Sequence, residues 1–444
     1  MKVYFKKIAI FAKYTFKPQD MDKQLVKRII MERQEAVPTY SLTPRDMCFG
    51  DDTNYVLVGL RRAGKSYLLY QDIQARLKRG KSAREDILFF NFEDERLDFT
   101  DASELGIILD SYQELYPGRK PAIYLDEIQV VEGWEKFARR LADSSYRVMI
   151  TGSNAKMLSA EIAGKLGGRY IPRDVSPFSF SEYLRFNGLD LPSNWGATPS
   201  FLAAASRHFN DFFYDGGIAE SFKSPDKREY LTSLYQKILI GDIVQRHGIR
   251  NPRVLRLLAK KLADSVMQPS TLSRLMHIIK SSGDSISLPV LKDYLEYMQD
   301  AYLFFAVPNL ASPLNERVTT QKRYLADQGL LNLFLFKGET KLLENIVAID
   351  LNRRFHNTED ETLLYYYSRN AEVDFIVPSE KLAIQVAFSL TDTATAERET
   401  GGLTRFLQAN PEYHGVIVTR DSEQHLDQDG FTIDVVSVWK WLLR

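Results

Sequence analysis

Residues 55–66 read Tyr55-Val56-Leu57-Val58-Gly59-Leu60-Arg61-Arg62-Ala63-Gly64-Lys65-Ser66. The stretch 55–60 reads as a short buried strand. Residues 65–79 follow a helical pattern, with Leu68, Leu69, Ile73 and Leu77 on one side. Between strand and helix lies the pattern G-x-x-x-x-G-K-[ST], and each fixed residue has a chemical reason. Phosphates need backbone N–H groups aimed inward at close range, and Gly59 and Gly64 let the loop turn tightly enough to aim them. The helix that starts near Lys65 points its positive end at the anion. Lys65 is placed to reach the β- and γ-phosphates, and Ser66 to offer a hydroxyl to Mg²⁺. The candidate cradle is Gly59, Arg61, Arg62, Ala63, Gly64, Lys65, Ser66 and Tyr67, and the ligands it implies are ATP and Mg²⁺. The plainer reading is a glycine turn capping an ordinary helix, and the flanking strand and helix weigh against it.

Working outward, ILFFNFED (87–94), AIYLDEI (122–128) and YRVMITG (146–152) are β-rich and largely apolar, with helical stretches 103–116 and 134–144 between them. Strands alternating with helices imply a parallel sheet covered on both faces. The second of these strands ends in Asp126-Glu127, about 60 residues beyond the glycine loop. Asp126 would hold Mg²⁺ through water, and Glu127 would polarise the attacking water. Alone, such an acid pair is usually just solvated; here it follows a phosphate loop at a suitable interval. The third strand ends in Thr151-Gly152-Ser153-Asn154. Ser153 or Asn154 could touch the γ-phosphate or position the water, or simply cap the next helix. Arg169, after Gly167-Gly168, is a candidate arginine finger acting in its own subunit or a neighbouring one, or an unremarkable surface arginine.

The chain has 444 residues, enough for two to four domains. Apolar residues make up 44% and charged residues 26%, the composition of a soluble globular protein. Lys+Arg and Asp+Glu both count 58, so net charge names no partner. Cys48 is the only cysteine, which removes any disulfide framework within one chain and suits a reducing cytoplasm. Lys6, Lys7 and Lys13 break the N-terminal apolar stretch into pieces too short for a signal peptide. That segment reads as a basic leader, or as a start placed upstream of a natural one near Met21. No run reaches the roughly 18 apolar residues of a membrane span.

After Pro177 the pattern turns helical through about residue 245, and residues 252–300 are also helical, in short pieces. A new mixed region begins near 320, with a helix at 340–355 and strands at 363–368, 373–378, 382–388 and 415–420. The expected units are a leader (1–40), a nucleotide-binding core (41–176), a helical lid (177–245), a basic helical unit (246–325) and a C-terminal α/β unit (326–444). Within the basic unit, residues 246–280 hold eight Lys/Arg against one acid, Asp264. That balance could track phosphates of nucleic acid. Tyr294 and Tyr297 lie on a candidate recognition helix, 289–300, but Asp293, Glu296 and Asp300 on it repel phosphate. A solvated basic helix, or an interface to an acidic neighbour, is the other reading.

Together these residues resemble a widespread prokaryotic family of AAA-type P-loop ATPases with a C-terminal domain of unknown function of restriction-endonuclease-like fold. The resemblance rests on Gly59 to Ser66, Leu125-Asp126-Glu127-Ile128-Gln129 with Trp134, Ile150-Thr151-Gly152-Ser153, Gly168-Arg169, and Pro177 to Leu184. It continues through Gly216-Gly217-Ile218-Ala219-Glu220, Leu343-Glu344-Asn345 and Glu372-Val373-Asp374-Phe375. It implies an ATPase core, a helical lid, a winged-helix-like middle and a nuclease-like tail. The tail follows the order of a metal-dependent nuclease core: Glu344 on a helix, Asp374 on a strand, then a strand where Glu-x-Lys is expected. Gln385-Val386-Ala387 stands there instead. The expectation is therefore a persisting fold without the chemistry, with Glu344 and Asp374 structural, capping or pairing with Arg353 or Arg369.

The leading expectation is a Mg²⁺-dependent ATPase whose nucleotide state moves the lid and downstream units, with DNA and a second copy of the chain as open partners and no membrane. Its rivals are a nucleotide-gated adaptor with negligible turnover and an ATP-dependent nuclease.

Overall fold

Strand alternation sets out the first layer. The computed structural model describes residues 22–444 except 98, 100, 101 and 358–360; the leader before residue 22 lies outside the described residues. The strands β1 (Tyr55–Val58), β2 (Ile87–Asn91), β3 (Ala122–Asp126), β4 (Val148–Gly152) and β5 (Ile171–Asp174) form one sheet in the order β2-β3-β4-β1-β5. Every pairing is parallel. Successive side chains point to opposite faces. Tyr55, Leu57, Phe89, Tyr124 and Met149 therefore pack into one core, and Val56, Val58, Leu88, Phe90, Ile123, Leu125 and Ile150 into another. Helices cover both sides, as expected of such apolar strands. Helix Lys65–Lys78 lies on the first face, and helices Lys23–Ala36, Gly106–Leu115 and Trp134–Asp143 on the second. Val26, Ile29 and Ile30 are buried, so residues 23–36, expected in the leader, are part of the core.

Beyond Pro177 come helices Phe180–Phe186, Pro199–Asp215 and Lys227–Lys237, the last continuing into a π-helix, Ile238–Gln245. Helices Pro252–Asp264, Leu272–Ser281 and Leu288–Asp300 follow, with a small antiparallel sheet of β6 (Ser270–Thr271), β7 (Phe304–Pro308) and β8 (Thr320–Leu325) in the order β6-β8-β7. The last sheet holds β9 (Tyr365–Ser368), β10 (Glu372–Val377), β11 (Leu382–Ala387), β12 (His414–Thr419), β13 (Gln424–Gln428) and β14 (Phe431–Ser437), ordered β13-β14-β12-β11-β10-β9. Helix Glu339–Arg354 packs on one face and helix Thr393–Ala409 on the other.

Candidate active site

The loop after β1 closes under steric compulsion. Gly59 has a φ of 154°, and a Cβ there would sit 2.1 Å from the Val175 carbonyl oxygen. Gly64, at φ 97°, precedes the helix that Lys65 opens. Arg62 between them is held at φ 67°, a costly conformation for a residue with a Cβ. Arg45 buttresses the loop from outside. Its guanidinium donates to the carbonyls of Ala63 and Ser176 (both 2.9 Å) and pairs with Glu182 at 2.7 Å. Glu182 is itself fixed by a capping box with Ser179.

Strands β1, β3 and β4 end side by side, and that edge collects the polar groups. Ser66 Oγ donates to Asp126 Oδ1 at 3.0 Å, and Thr151 Oγ1 donates to the same oxygen at 2.6 Å. Thr151 Oγ1 also accepts the Glu127 backbone N–H at 2.9 Å, so one hydroxyl joins both acids to β4. Lys65 Nζ lies 3.1 Å from the Gly59 carbonyl, 3.2 Å from that of Leu60 and 3.6 Å from Glu127 Oε1. Burial and the neighbouring Glu127 push the Asp126 carboxyl up to about 6. Glu127 is also buried, which would push it up, but the Lys65 ammonium and the Gln129 amide hold it below its ordinary value.

A cleft of about 450 Å³ opens over this edge. Arg61 to Tyr67, Asp126 and Glu127 line its floor, and Tyr40, Tyr70, Phe178 and Phe186 give it an aromatic wall. Acids from beyond Pro177 reach back to the loop. Arg61 pairs with Asp242 of the π-helix (2.9 and 3.0 Å) and with Glu93 (3.1 Å), and Arg62 pairs with Glu220 (2.7 Å). A second cleft, of about 460 Å³, lies at the opposite ends of the strands among Arg119, Lys120 and Arg140 and holds none of these groups.

The structure thus brings together Gly59, Arg61, Arg62, Ala63, Gly64, Lys65, Ser66, Tyr67, Asp126 and Glu127. Ser153 is buried at the tip of β4, with Oγ 3.4 Å from Gln129 Nε2. Asn154 accepts from the Lys156 N–H as a helix cap. Arg169 pairs with Asp143 and donates to the Gly167 carbonyl. None of these three lines the cleft. Sequence reading missed Arg45, Thr151, Gln129, Glu93 and Asp242 as contributors. Thr151 and Gln129 stood inside quoted motifs; Arg45 and Asp242 carry no local signal and become visible only through folding.

A family model described as an AAA domain matches residues 51–184. Models described as domains of unknown function match residues 206–341 (DUF8612) and 339–441 (DUF4143). An uncharacterized protein of Methanocaldococcus jannaschii is 32% identical over 440 residues, covering 95% of this chain and 96% of that protein. The chain belongs to this AAA-domain family. The family spans archaea and bacteria: an uncharacterized protein of Haemophilus influenzae is 30% identical over 407 residues, covering 88% of this chain and 95% of its own. Among solved structures, this AAA protein is similar to the Walker-type ATPase PABY2304 of Pyrococcus abyssi, at 16% identity and a TM-score of 0.38, over 72% of this chain and 97% of that one. It is also similar to the Orc1 protein of Aeropyrum pernix in complex with DNA, at 14% identity and a TM-score of 0.28, over 75% and 96%.

Proposed function

We propose that this protein binds and hydrolyses Mg²⁺-ATP, and that its lid reads the nucleotide state. The observation that carries the reading is the convergence of Lys65, Ser66, Asp126 and Glu127 under one cleft. The residues present fit a hard divalent ion. Ser66 Oγ and Asp126 Oδ1, 3.0 Å apart, are the oxygen donors Mg²⁺ prefers. When bound, Mg²⁺ neutralises phosphate charge. Lys65 and the loop N–H groups grip the phosphates, and the aromatic wall faces the base. Glu127 orients a water and takes its proton as the water oxygen bonds to the γ-phosphorus and the bond to ADP breaks. Steady-state phosphate release tests this: no turnover above the Glu127→Gln background would leave a nucleotide-gated adaptor as the better reading.

The lid acids Asp242 and Glu220 support coupling, because phosphate competes with them for Arg61 and Arg62. We read residues 246–325 as winged-helix-like, supported by three helices with a small antiparallel sheet. DNA contact there is supported by exposed Arg250, Arg256 and Lys260. The candidate recognition helix is partly engaged, however: Glu296 and Asp300 pair with Lys156, and Tyr297 stacks on His247 at 3.6 Å. We read the tail as a restriction-endonuclease-like fold that does not cut. No described helix is long and apolar enough to cross a membrane. The free Cys48 supports a cytoplasmic setting.

A further inference from the structure

The chain leaves β3 through an unusual corner. Glu127 is a non-glycine residue in the left-handed region, with φ 55° and ψ 39°, and a short 3₁₀ turn, Ile128–Val130, follows it. The corner brings the side chain of Gln129 back beside Glu127. Gln129 Nε2 donates to Glu127 Oε2 at 2.5 Å and lies 3.4 Å from Ser153 Oγ. The amide can face only one way: reversed, its carbonyl oxygen would confront a carboxylate. The carbonyl Oε1 is therefore turned inward, buried and without a hydrogen-bond partner. Gly152 makes room for it, since a Cβ there would come within 2.6 Å of Oε1 and 1.9 Å of Met157 Sδ.

A side chain present only to fill space would be apolar, because an orphaned buried acceptor is destabilising. The fold keeps the amide at that cost, and what it gains is a donor on the Glu127 carboxylate. The other carboxylate oxygen, Oε1, lies 3.6 Å from Lys65 Nζ, the ammonium that a nucleotide phosphate would claim. Once Lys65 turns to phosphate, Gln129 and the Ser153 hydroxyl beside it are the hydrogen-bonding neighbours left to Glu127, and Gln129 is the one at 2.5 Å.

We propose that Gln129 is a positioning residue for ATP hydrolysis, fixing the rotamer of Glu127 through its side-chain N–H and tying that carboxylate to Ser153 at the tip of β4. The inference rests on the reading of Glu127 as the group that takes the water's proton.

The test is steady-state phosphate release with calorimetric ATP affinity on Gln129→Met, which keeps the volume and removes the donor. Loss of one charge-assisted hydrogen bond should lower kcat about tenfold, with KM and ATP affinity within about twofold of wild type. In a Glu127→Gln background the same change should have no further effect, because the two residues act as a unit. Gln129→Glu, which replaces the donor by a repelling carboxylate, should lose at least as much and serves if Gln129→Met does not fold. Wild-type kcat in either variant overturns the proposal while leaving the ATPase reading intact. An equal loss in both Glu127 backgrounds also overturns it, since that would show a role independent of Glu127. Wild-type turnover in Glu127→Gln alone overturns both the proposal and the assignment of Glu127.

Discussion

Lys65 is 4% exposed, and its ammonium is met by two loop carbonyls and a distant carboxylate oxygen. A phosphate is the stronger partner for a buried charge. Lys65→Ala should abolish Mg²⁺-ATP binding while leaving the fold intact, at a cost of about 2–5 kcal/mol in affinity; equal affinity by calorimetry would refute the site. Glu127→Gln should keep binding and slow hydrolysis by about 10²–10⁴, and phosphate release at the wild-type rate would remove Glu127 from its role. A third residue-scale prediction concerns stability. Burial would push the Glu182 carboxyl up, but the Arg45 guanidinium outweighs it and holds the group below its ordinary 4.5. A depressed folded-state value means stability fully present above about pH 4.5 and lost as pH falls through the folded value. Glu182→Gln, by breaking a buried pair, should cost about 3 kcal/mol at neutral pH. It should also flatten the fall in urea midpoint below pH 4.5. A variant whose midpoint falls with pH as steeply as wild type would show that the pair does not set that acid limb.

Elements differ in how far the sequence reveals them. Strands β1 to β4 were legible because unbroken apolar runs between turn residues have few other fates in a chain of this composition. Strand β5 was not: Ile171-Pro172-Arg173-Asp174 is an edge, largely exposed, and held by pairing to β1 rather than by its own pattern. Polar β13 escaped for the same reason. The π-helix Ile238–Gln245 read as ordinary helix, since eight residues do not separate the two periodicities. It nonetheless delivers Asp242 to Arg61. Removing that carboxylate should leave the loop more positive, so Asp242→Asn should tighten ATP binding by ~1 kcal/mol, about fivefold. Unchanged or weaker affinity by calorimetry would mean that the ion pair serves to shape the loop instead. In the basic helix Pro252–Asp264, Arg256 is exposed, and Arg253 is exposed but paired to Asp284 at 3.2 Å. If this face tracks phosphates, reversing both to Glu should flatten the salt dependence of DNA binding by about one unit of slope per lost contact. Unchanged DNA affinity at low salt would dispose of that surface.

Across the described residues one core runs through every unit: apolar residues of one face of the first sheet, the helices of residues 177–245, the middle helices and one face of the last sheet pack continuously, while the opposite faces of the two larger sheets pack into cores of their own. Arg353 of helix Glu339–Arg354 donates to the Pro177 carbonyl, and Asp327 accepts the Gly217 N–H at 2.8 Å. If residues 177–245 move with nucleotide, as proposed above, these contacts would carry the C-terminal unit with them. The centre of that unit corrects the sequence reading. Glu344 and Asp374 do come together, but neither pairs with Arg353 or Arg369. Their partner is Lys322 of β8, at 3.2 and 2.9 Å, a residue with no motif around it that folding alone delivers. Tyr324 donates to Glu344 at 2.7 Å, and the Val386 N–H to Asp374 at 3.0 Å. The reason to expect no DNA cleavage therefore changes. A positive group is present, but Lys322 and Glu344 are each 1% exposed and Asp374 is 5% exposed, so a phosphodiester cannot reach them. Both carboxylates are committed to an ammonium where a nuclease needs them free for Mg²⁺. Gln385 donates to Glu399 at 2.5 Å and adds no anionic ligand. The nearest lysine in sequence before β11, Lys381, is engaged over the ring of Tyr413. Lys322→Ala should accordingly destabilise the fold by about 3–5 kcal/mol, by stranding two buried acids. The wild-type protein, incubated with supercoiled and linear DNA and Mg²⁺ or Mn²⁺, with and without ATP, should leave both intact. Cleavage that disappears in Asp374→Ala would mean that this buried cluster opens, and that nucleotide or DNA drives the opening.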